Sequence, residues 1–316
     1  MDFREFCDYV KDNILKEMPE EYQGAEVSID ETIKNNSVIL HGLSIRREDR
    51  NIAPRLYLEY AYDSFKDNKS LDEIVQIVAK EYVKHAGIDI GFDVRSILEF
   101  DKVKDKITTQ ILNGKQNKVL AATRPCKKLD DLLVFYRITI EQMDNGTSSI
   151  PITNEMMKSW GVTTQDIHSL AVENTERMFP SELVDIEDIL FGVEENLFEQ
   201  TDEKPDGKLL TLKNRENVYG AAAIANPEIL QKISEVVQDD YYILPSSVNE
   251  VLILSKESAK EMGMTPKDLG NMVRGVNKTE VEKDEVLSDH VYVYDREKKV
   301  IETVMDSKDK SKEAER

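Results

Sequence analysis

Cysteine is scarce: Cys7 and Cys126 are the two in 316 residues, too few for a disulfide scaffold and in keeping with a reducing compartment. The four histidines, His41, His85, His168 and His290, stand far apart, with no His-x-x-x-His and no Cys-x-x-Cys. That spacing argues against a zinc site. Residues 202–207 lack the ligand spacing of an EF-hand, so no metal is expected. No Gly-x-x-x-x-Gly-Lys-Ser/Thr, Gly-x-Gly-x-x-Gly or Gly-x-Ser-x-Gly occurs, which removes the common phosphate loops and the hydrolase elbow. No apolar run approaches the ~20 residues of a membrane span. The start, Met1-Asp-Phe-Arg-Glu-Phe-Cys7, has neither a basic nor an apolar leader region. A cytoplasmic protein without cofactor or membrane contact is expected. Positive charge is also short: 42 Lys and Arg face 62 Asp and Glu, a net charge of -20. Such a field repels nucleic-acid phosphates, and Arg46-Arg47 and Lys127-Lys128 are pairs, not stripes, so direct nucleic-acid binding is not expected. The same acidity suits a basic partner, or mimicry of nucleic acid.

What the chain does have is a stretch that occurs twice, at residues 152–167 and 254–269, 102 positions apart. Each copy opens on a hydroxyl N-cap, Thr153 or Ser255. Each then stops at a glycine, Gly161 or Gly263, that suits the left-handed position after a helix. A second cap comes next, Thr163 or Thr265, with Asp166 or Asp268 three residues on in a capping-box pattern, and Pro266 sits at a first helical position. Val162 with Ile167, and Met264 with Leu269, have the hydrophobic-staple spacing. Apolar stripes then run through Ile167, Leu170, Ala171 and Met178 in one copy, and Leu269, Met272, Val273 and Val276 in the other. Pro180 ends the first of these helices. Hairpins precede both, 134–140 with 149–152 and 241–244 with 251–254. The pattern predicts a duplicated hairpin–helix–helix unit, at about 132–178 and 240–277, whose equivalent flanks share one interior.

Elsewhere, residues 2–17 carry Phe3, Phe6, Cys7, Val10 and Ile14 on one helical face. Val27, Ile29 and Ile33 alternate as a strand, 34–36 turn, and 38–45 return; Leu56, Leu58, Tyr60 and Tyr62 mark a third strand. Ser70-Leu-Asp-Glu73 is a capping box before the stripe Ile74, Ile77, Val78, Tyr82, with Gly87 as the stop. Residues 94–100 read as helix, 107–112 as strand or helix, 124–128 as loop, and the apolar run 132–140 as a buried strand. Between Glu182 and Asp206 lie ten acidic residues and one lysine. Leu183, Val184, Ile186, Ile189, Leu190, Phe191, Leu197 and Phe198 are interleaved, so part of this stretch should pack; 201–207 reads as an exposed loop. Residues 209–212 and 218–224 read as a hairpin across 214–216. Asn226-Pro227 caps a helix with Ile229, Leu230, Ile233, Val236 and Val237 inward, and 290–294 with 300–304 form a last hairpin. The fold class is α+β: an N-terminal helix–three-strand–helix layer at 1–104, then a mixed or antiparallel sheet region at 105–305 holding the duplication. Residues 306–316 read as a disordered tail.

Chemistry-bearing candidates are few. Cys126, beside Arg124, Lys127 and Lys128, has surroundings that lower a thiol pKa, or is an ordinary loop cysteine. Ser246, Ser247, Asn249 and Glu250 put hydroxyl, amide and carboxylate on one hairpin tip, a binding patch or ordinary turn composition. Gly220-Ala-Ala-Ala-Ile224 allows a close backbone approach to a ligand or tight packing. No catalytic residue is identifiable.

The run Tyr242-Ile-Leu-Pro-Ser-Ser-Val-Asn-Glu-Val-Leu252, with Ala223-Ile-Ala-Asn-Pro227, Trp160-Gly-Val-Thr163 and Ala171-Val-Glu-Asn-Thr175, resembles the clostridial domain-of-unknown-function 5688 family over most of residues 1–305. The middle, from Asp130-Asp-Leu-Leu-Val-Phe-Tyr136 through Trp160-Gly-Val162, is similar to the domain-of-unknown-function 1444 family. The first family often has His-Glu where this chain has Asn249-Glu250, so no imidazole role transfers. The resemblance implies a cytoplasmic protein of Gram-positive bacteria and no particular activity. Three functions compete. The first is a non-enzymatic interaction or regulatory scaffold with a protein partner; the second, an enzyme or small-ligand binder sited between the two domains; the third, a nucleic-acid-mimicking anti-defence protein. The sequence sets no oligomeric state.

Overall fold

A computed structural model of the chain describes residues 1–50, 53–67, 69–86, 94–143, 146–193, 195–200 and 209–304. The class is α+β. The chain divides into two compact units, Met1–Gly91 and Phe92–Arg316.

In the first unit α1, Phe3–Asn13, starts at a capping box: Asp2 Oδ1 accepts from Glu5 N at 2.9 Å and Glu5 Oε2 accepts from Asp2 N at 2.9 Å. Its Phe6, Cys7 and Val10 are buried. Strands β1, Glu26–Ile33, and β2, Ile39–Arg46, pair antiparallel along their whole length, from Glu26↔Arg46 to Ile33↔Ile39. The third strand, β3, is only Leu56–Tyr57. Tyr60 and Tyr62 lie instead on α2, Glu59–Lys66, against the alternation seen in the sequence. Leu58, Tyr62 and Phe65 then fall on one helical face and pack into the unit's core, while Tyr60 is left 69% exposed. Ser70 caps α3, Leu71–Ala86, with Glu73 bonding back to the Ser70 N–H at 2.9 Å. The Tyr82 hydroxyl fastens α3 to β2, accepting from Ile45 N at 2.7 Å and donating to Ile45 O at 3.1 Å. Gly87 lies outside the described residues.

The second unit starts earlier than the expected 105. Residues 94–98 form a 3₁₀ turn and α4 spans Phe100–Val103. The indole of Trp160 donates to Ile97 O at 2.8 Å and Asn174 Nδ2 to Lys104 O at 2.8 Å, tying this segment to the second unit. Then come β4, Ile107–Asn113, α5, Lys118–Thr123, β5, Cys126–Leu129, β6, Leu132–Met143, and β7, Gly146–Pro151. The expected loop at 124–128 is therefore half strand, because β6 offers an edge on which Cys126 pairs with Phe135. Strand β6 runs through the middle of this sheet, with β4 on one side and β5 and β7 on the other.

Helices α6, Asn154–Trp160, and α7, Thr164–Met178, lead to β8, Ser181–Asp185, α8, Ile186–Leu190, and β9, Leu210–Asn214. Within the acidic stretch Leu183, Val184 and Leu197 are buried, whereas Leu190 and Phe191 are 80% and 82% exposed. The expected loop at 201–207 and tail at 306–316 lie outside the described residues. Residues 218–224 are not a strand. Gly220–Ala225 is a 3₁₀ turn, and β9 pairs with β8 and with residues 251–253 instead. Helix α9, Pro227–Val237, is capped by Asn226. Strands β10, Tyr241–Pro245, and β11, Val251–Ser255, are followed by α10, Lys256–Glu261, α11, Pro266–Thr279, β12, Tyr292–Asp295, and β13, Val300–Thr303. The second sheet runs β13-β12-β10-β11-β9-β8, antiparallel throughout.

Both copies of the repeated stretch thus fold as hairpin, short helix, turn, longer helix. Gly161 (φ 68) and Gly263 (φ 66) take the left-handed conformation at the bends. Thr163 and Thr265 both open capping boxes, their N–H groups donating to Asp166 at 2.7 Å and Asp268 at 3.0 Å. They do not share one interior. Ile167 and Ala171 belong to the large core between the sheets' apolar residues, Leu269 and Val273 to a smaller one with Leu244, Leu254, Ala259 and Val291. Val276, expected in the buried stripe, is 38% exposed, and Asn277 is buried in its place. Its amide donates to Ser288 O at 2.8 Å.

Candidate functional site

Alternation along β6 sends Val134, Tyr136 and Ile138 to one side of the first sheet and Phe135, Arg137 and Thr139 to the other. Register adds Thr108 opposite Arg137, and Gln110 and Cys126 opposite Phe135, on that second side. Arg137 is a half-buried cation between the buried Tyr136 and Ile138. Its Nε donates to Ser149 Oγ at 2.8 Å, and its Nη1 to Gln110 Oε1 and Nη2 to Ser149 O, both at 3.3 Å. The Tyr219 ring lies against the guanidinium, 5.4 Å from its carbon. Beneath them a cavity of about 10 Å³, with Thr108, Thr139, Thr147 and Ser149 in its wall, has room for one water molecule at most.

The second cation is Arg124, half-buried just before β5. Burial lowers its pKa, the neighbouring Arg137 charge lowers it further, and Tyr219 opposes them. Neither guanidinium has a carboxylate within 4 Å among the described residues, in a chain of net charge -20. Gln110 is 1% exposed; its oxygen serves Arg137, while its Nε2 has no acceptor. The Arg137 charge thus disfavours the charged form of Arg124, and the Gln110 Nε2 donor lies buried without a partner among the described residues.

Tyr219 is held over this site by the hairpin tip. It adopts φ 52, a left-handed conformation uncommon for a bulky residue. Its N–H donates to Asn249 Oδ1 at 3.1 Å. The next residue has to be glycine: a Cβ on Gly220 would stand 2.4 Å from Asn249 O and 2.9 Å from Asn214 N. The close approach anticipated at Gly220 is thus to the protein's own backbone.

The chain matches one family model, a family of unknown function (DUF5688), over residues 3–296. The chain belongs to this family. No curated protein and no solved structure matches it.

Of the residues singled out from this family member's sequence, Arg124 and Asn249 meet at the site, the second through Tyr219. Cys126 lies on the same side of the sheet as Arg137, but burial pushes its thiol pKa up, the reverse of an activated thiolate. Ser246, Ser247 and Glu250 close the hairpin turn. Ser246 Oγ donates to Glu250 Oε1 at 3.2 Å, Ser247 Oγ accepts from Asn249 N at 3.0 Å, and Ser247 N donates to Glu250 O at 3.1 Å. Asn249 Nδ2 reaches Glu285 at 3.2 Å. Gln110, Arg137 and Tyr219 were not singled out, although a charge inside the apolar run 132–140 marks Arg137. Among the described residues no group of His, Cys, Asp and Glu could hold a metal ion, and no helix is long and apolar enough to cross a membrane.

Proposed function

We propose that this protein is a binding protein that takes an oxyanion, carboxylate or phosphate, on Arg124 and Arg137. The observation carrying this reading is that two half-buried guanidiniums, the charge of one disfavouring that of the other, have no carboxylate partner among the described residues. The groups gathered there are donors, and donors fixed in position by Gln110, Ser149 and Tyr219 hold an anion without further chemistry. Binding would then regulate or scaffold the contact with a protein partner, for which the acidic surface is the means. A cytoplasmic setting, a clostridial source and kinship with the 1444 family accompany this reading as proposals.

Calorimetric titration of the full chain with inorganic phosphate and with acetate tests it. A saturable binding component that depends on this pair is expected, weakened about tenfold or more by Arg124→Ala through loss of a charge-assisted hydrogen bond. Heat that is absent, or identical in Arg124→Ala, overturns the reading.

A further inference from the structure

The first unit has an open recess of a different kind. The alternation of β1 and β2 places Glu26, Ser28 and Asp30 on the outer side of their sheet, opposite Arg46, Ser44 and Gly42 in register. The inner side, with Leu43 and Ile45, is the one packed into this unit's core with α1 and α3. Arg50 and Arg55, from the segment after β2, border the outer side, and the recess so formed measures about 500 Å³. That is within the size range of small-molecule sites, about 300–1,000 Å³.

Its floor is built for one of these arginines. A Cβ on Gly42 would stand 2.4 Å from both Cγ and Cδ of Arg55, so the glycine is what lets that side chain lie flat across the strand. From there Arg55 donates to Thr32 Oγ1 at 2.8 Å and approaches Asp30 at 4.0 Å. Arg46 and Arg50 have neither a side-chain hydrogen bond nor an ion pair among the described residues. The lining therefore offers two unpaired guanidiniums beside two serine hydroxyls and two carboxylates. No lining residue is aromatic, so nothing is there to stack on a flat ring.

We propose that this recess binds a small polyhydroxylated oxyanion of the sugar-phosphate class. Arg46 and Arg50 take the phosphate. Ser28, Ser44 and the carboxylates of Glu26 and Asp30 take the hydroxyls, which both donate and accept. This site is separate from the Arg124–Arg137 pair and stands or falls without it.

The test uses the full chain carrying Arg124→Ala and Arg137→Ala, so that the other site is silent. Backbone amide shifts are followed by NMR during titration with glucose 6-phosphate, glucose, inorganic phosphate and AMP. Saturable shifts centred on Ser28, Ser44 and Arg46 are expected with glucose 6-phosphate, with affinity about tenfold weaker for inorganic phosphate and for Arg46→Ala. Arg46 is exposed, so its substitution leaves the fold intact; Gly42→Ala, which displaces Arg55, should weaken binding as well. Shifts centred elsewhere, or unchanged binding in Arg46→Ala, overturn the proposal. Inorganic phosphate binding as tightly as the sugar phosphate removes the hydroxyl half of it, and AMP binding more tightly than both contradicts the ring argument.

Discussion

Arg124 has no side-chain hydrogen bond and no ion pair among the described residues. Burial and Arg137 both disfavour its charged form, and no described carboxylate compensates. An arginine retained for stability would be missed on removal; one retained for a ligand would not. Arg124→Ala is therefore expected to leave the ligand-free protein as stable as before or slightly more so, by thermal unfolding in an anion-poor buffer. A loss of more than about 1 kcal/mol would mean that a stabilising contact has been overlooked. The sequence pointed at Arg124 as one of the cations flanking Cys126, whose thiol pKa burial raises instead of their charge lowering it. Arg137 was the better sign. A cation inside the run 132–140 contradicts a purely apolar strand, whereas Gln110 is one of four polar residues in β4 and does not stand out. Tyr219 left no mark, because its role depends on a left-handed backbone fixed by Asn249, thirty positions away.

At the scale of elements, local chemistry was readable and long-range competition was not. Caps at Ser70, Thr163, Asn226 and Thr265 form where the residues announce them, because each bond closes within three positions. Thr163→Ala and Thr265→Ala should each cost about 1 kcal/mol in urea unfolding. If either is silent, the shared bend of the two hairpin–helix–helix units does not depend on its cap. Two strand expectations failed for one reason. Residues 56–62 and 218–224 have strand-like patterns, yet only Leu56–Tyr57 is strand, and α2 then packs Tyr62 and Phe65 against the unit's core. At 219–225, small residues let the backbone close on the hairpin tip. Neither outcome is visible until the partner surface is known.

Across the second unit, the β5–β6 turn is clasped to the end of the described chain. Asp131 accepts from His290 Nδ1 at 2.7 Å and from the Tyr292 hydroxyl at 2.6 Å, and Asp130 from Thr303 N at 2.6 Å. The Asp131 hydrogen bond raises the His290 pKa above its ordinary 6.5, against the lowering effect of burial. Burial pushes Asp131 up, but the bonds from His290 and Tyr292 prevail and hold it below its ordinary 3.8. The sign is set by linkage. The His290 contribution is whole below pH 6.5 and is lost as pH rises through its raised folded value. The Asp131 contribution is whole above pH 3.8 and is lost as pH falls through its lowered one. The stability difference between the wild type and His290→Asn should be largest between those limits and shrink on the alkaline side. A difference that grows with pH contradicts the clasp.

The central claim is that an oxyanion completes the Arg124–Arg137 pair. Its most direct test is a crystal of the full chain grown with selenate, with anomalous scattering used to locate the ion. A selenium peak within hydrogen-bond distance of both guanidiniums, absent from crystals of Arg124→Ala, is the predicted result. Peaks confined to other surfaces, or none near the pair in the wild type, would contradict it.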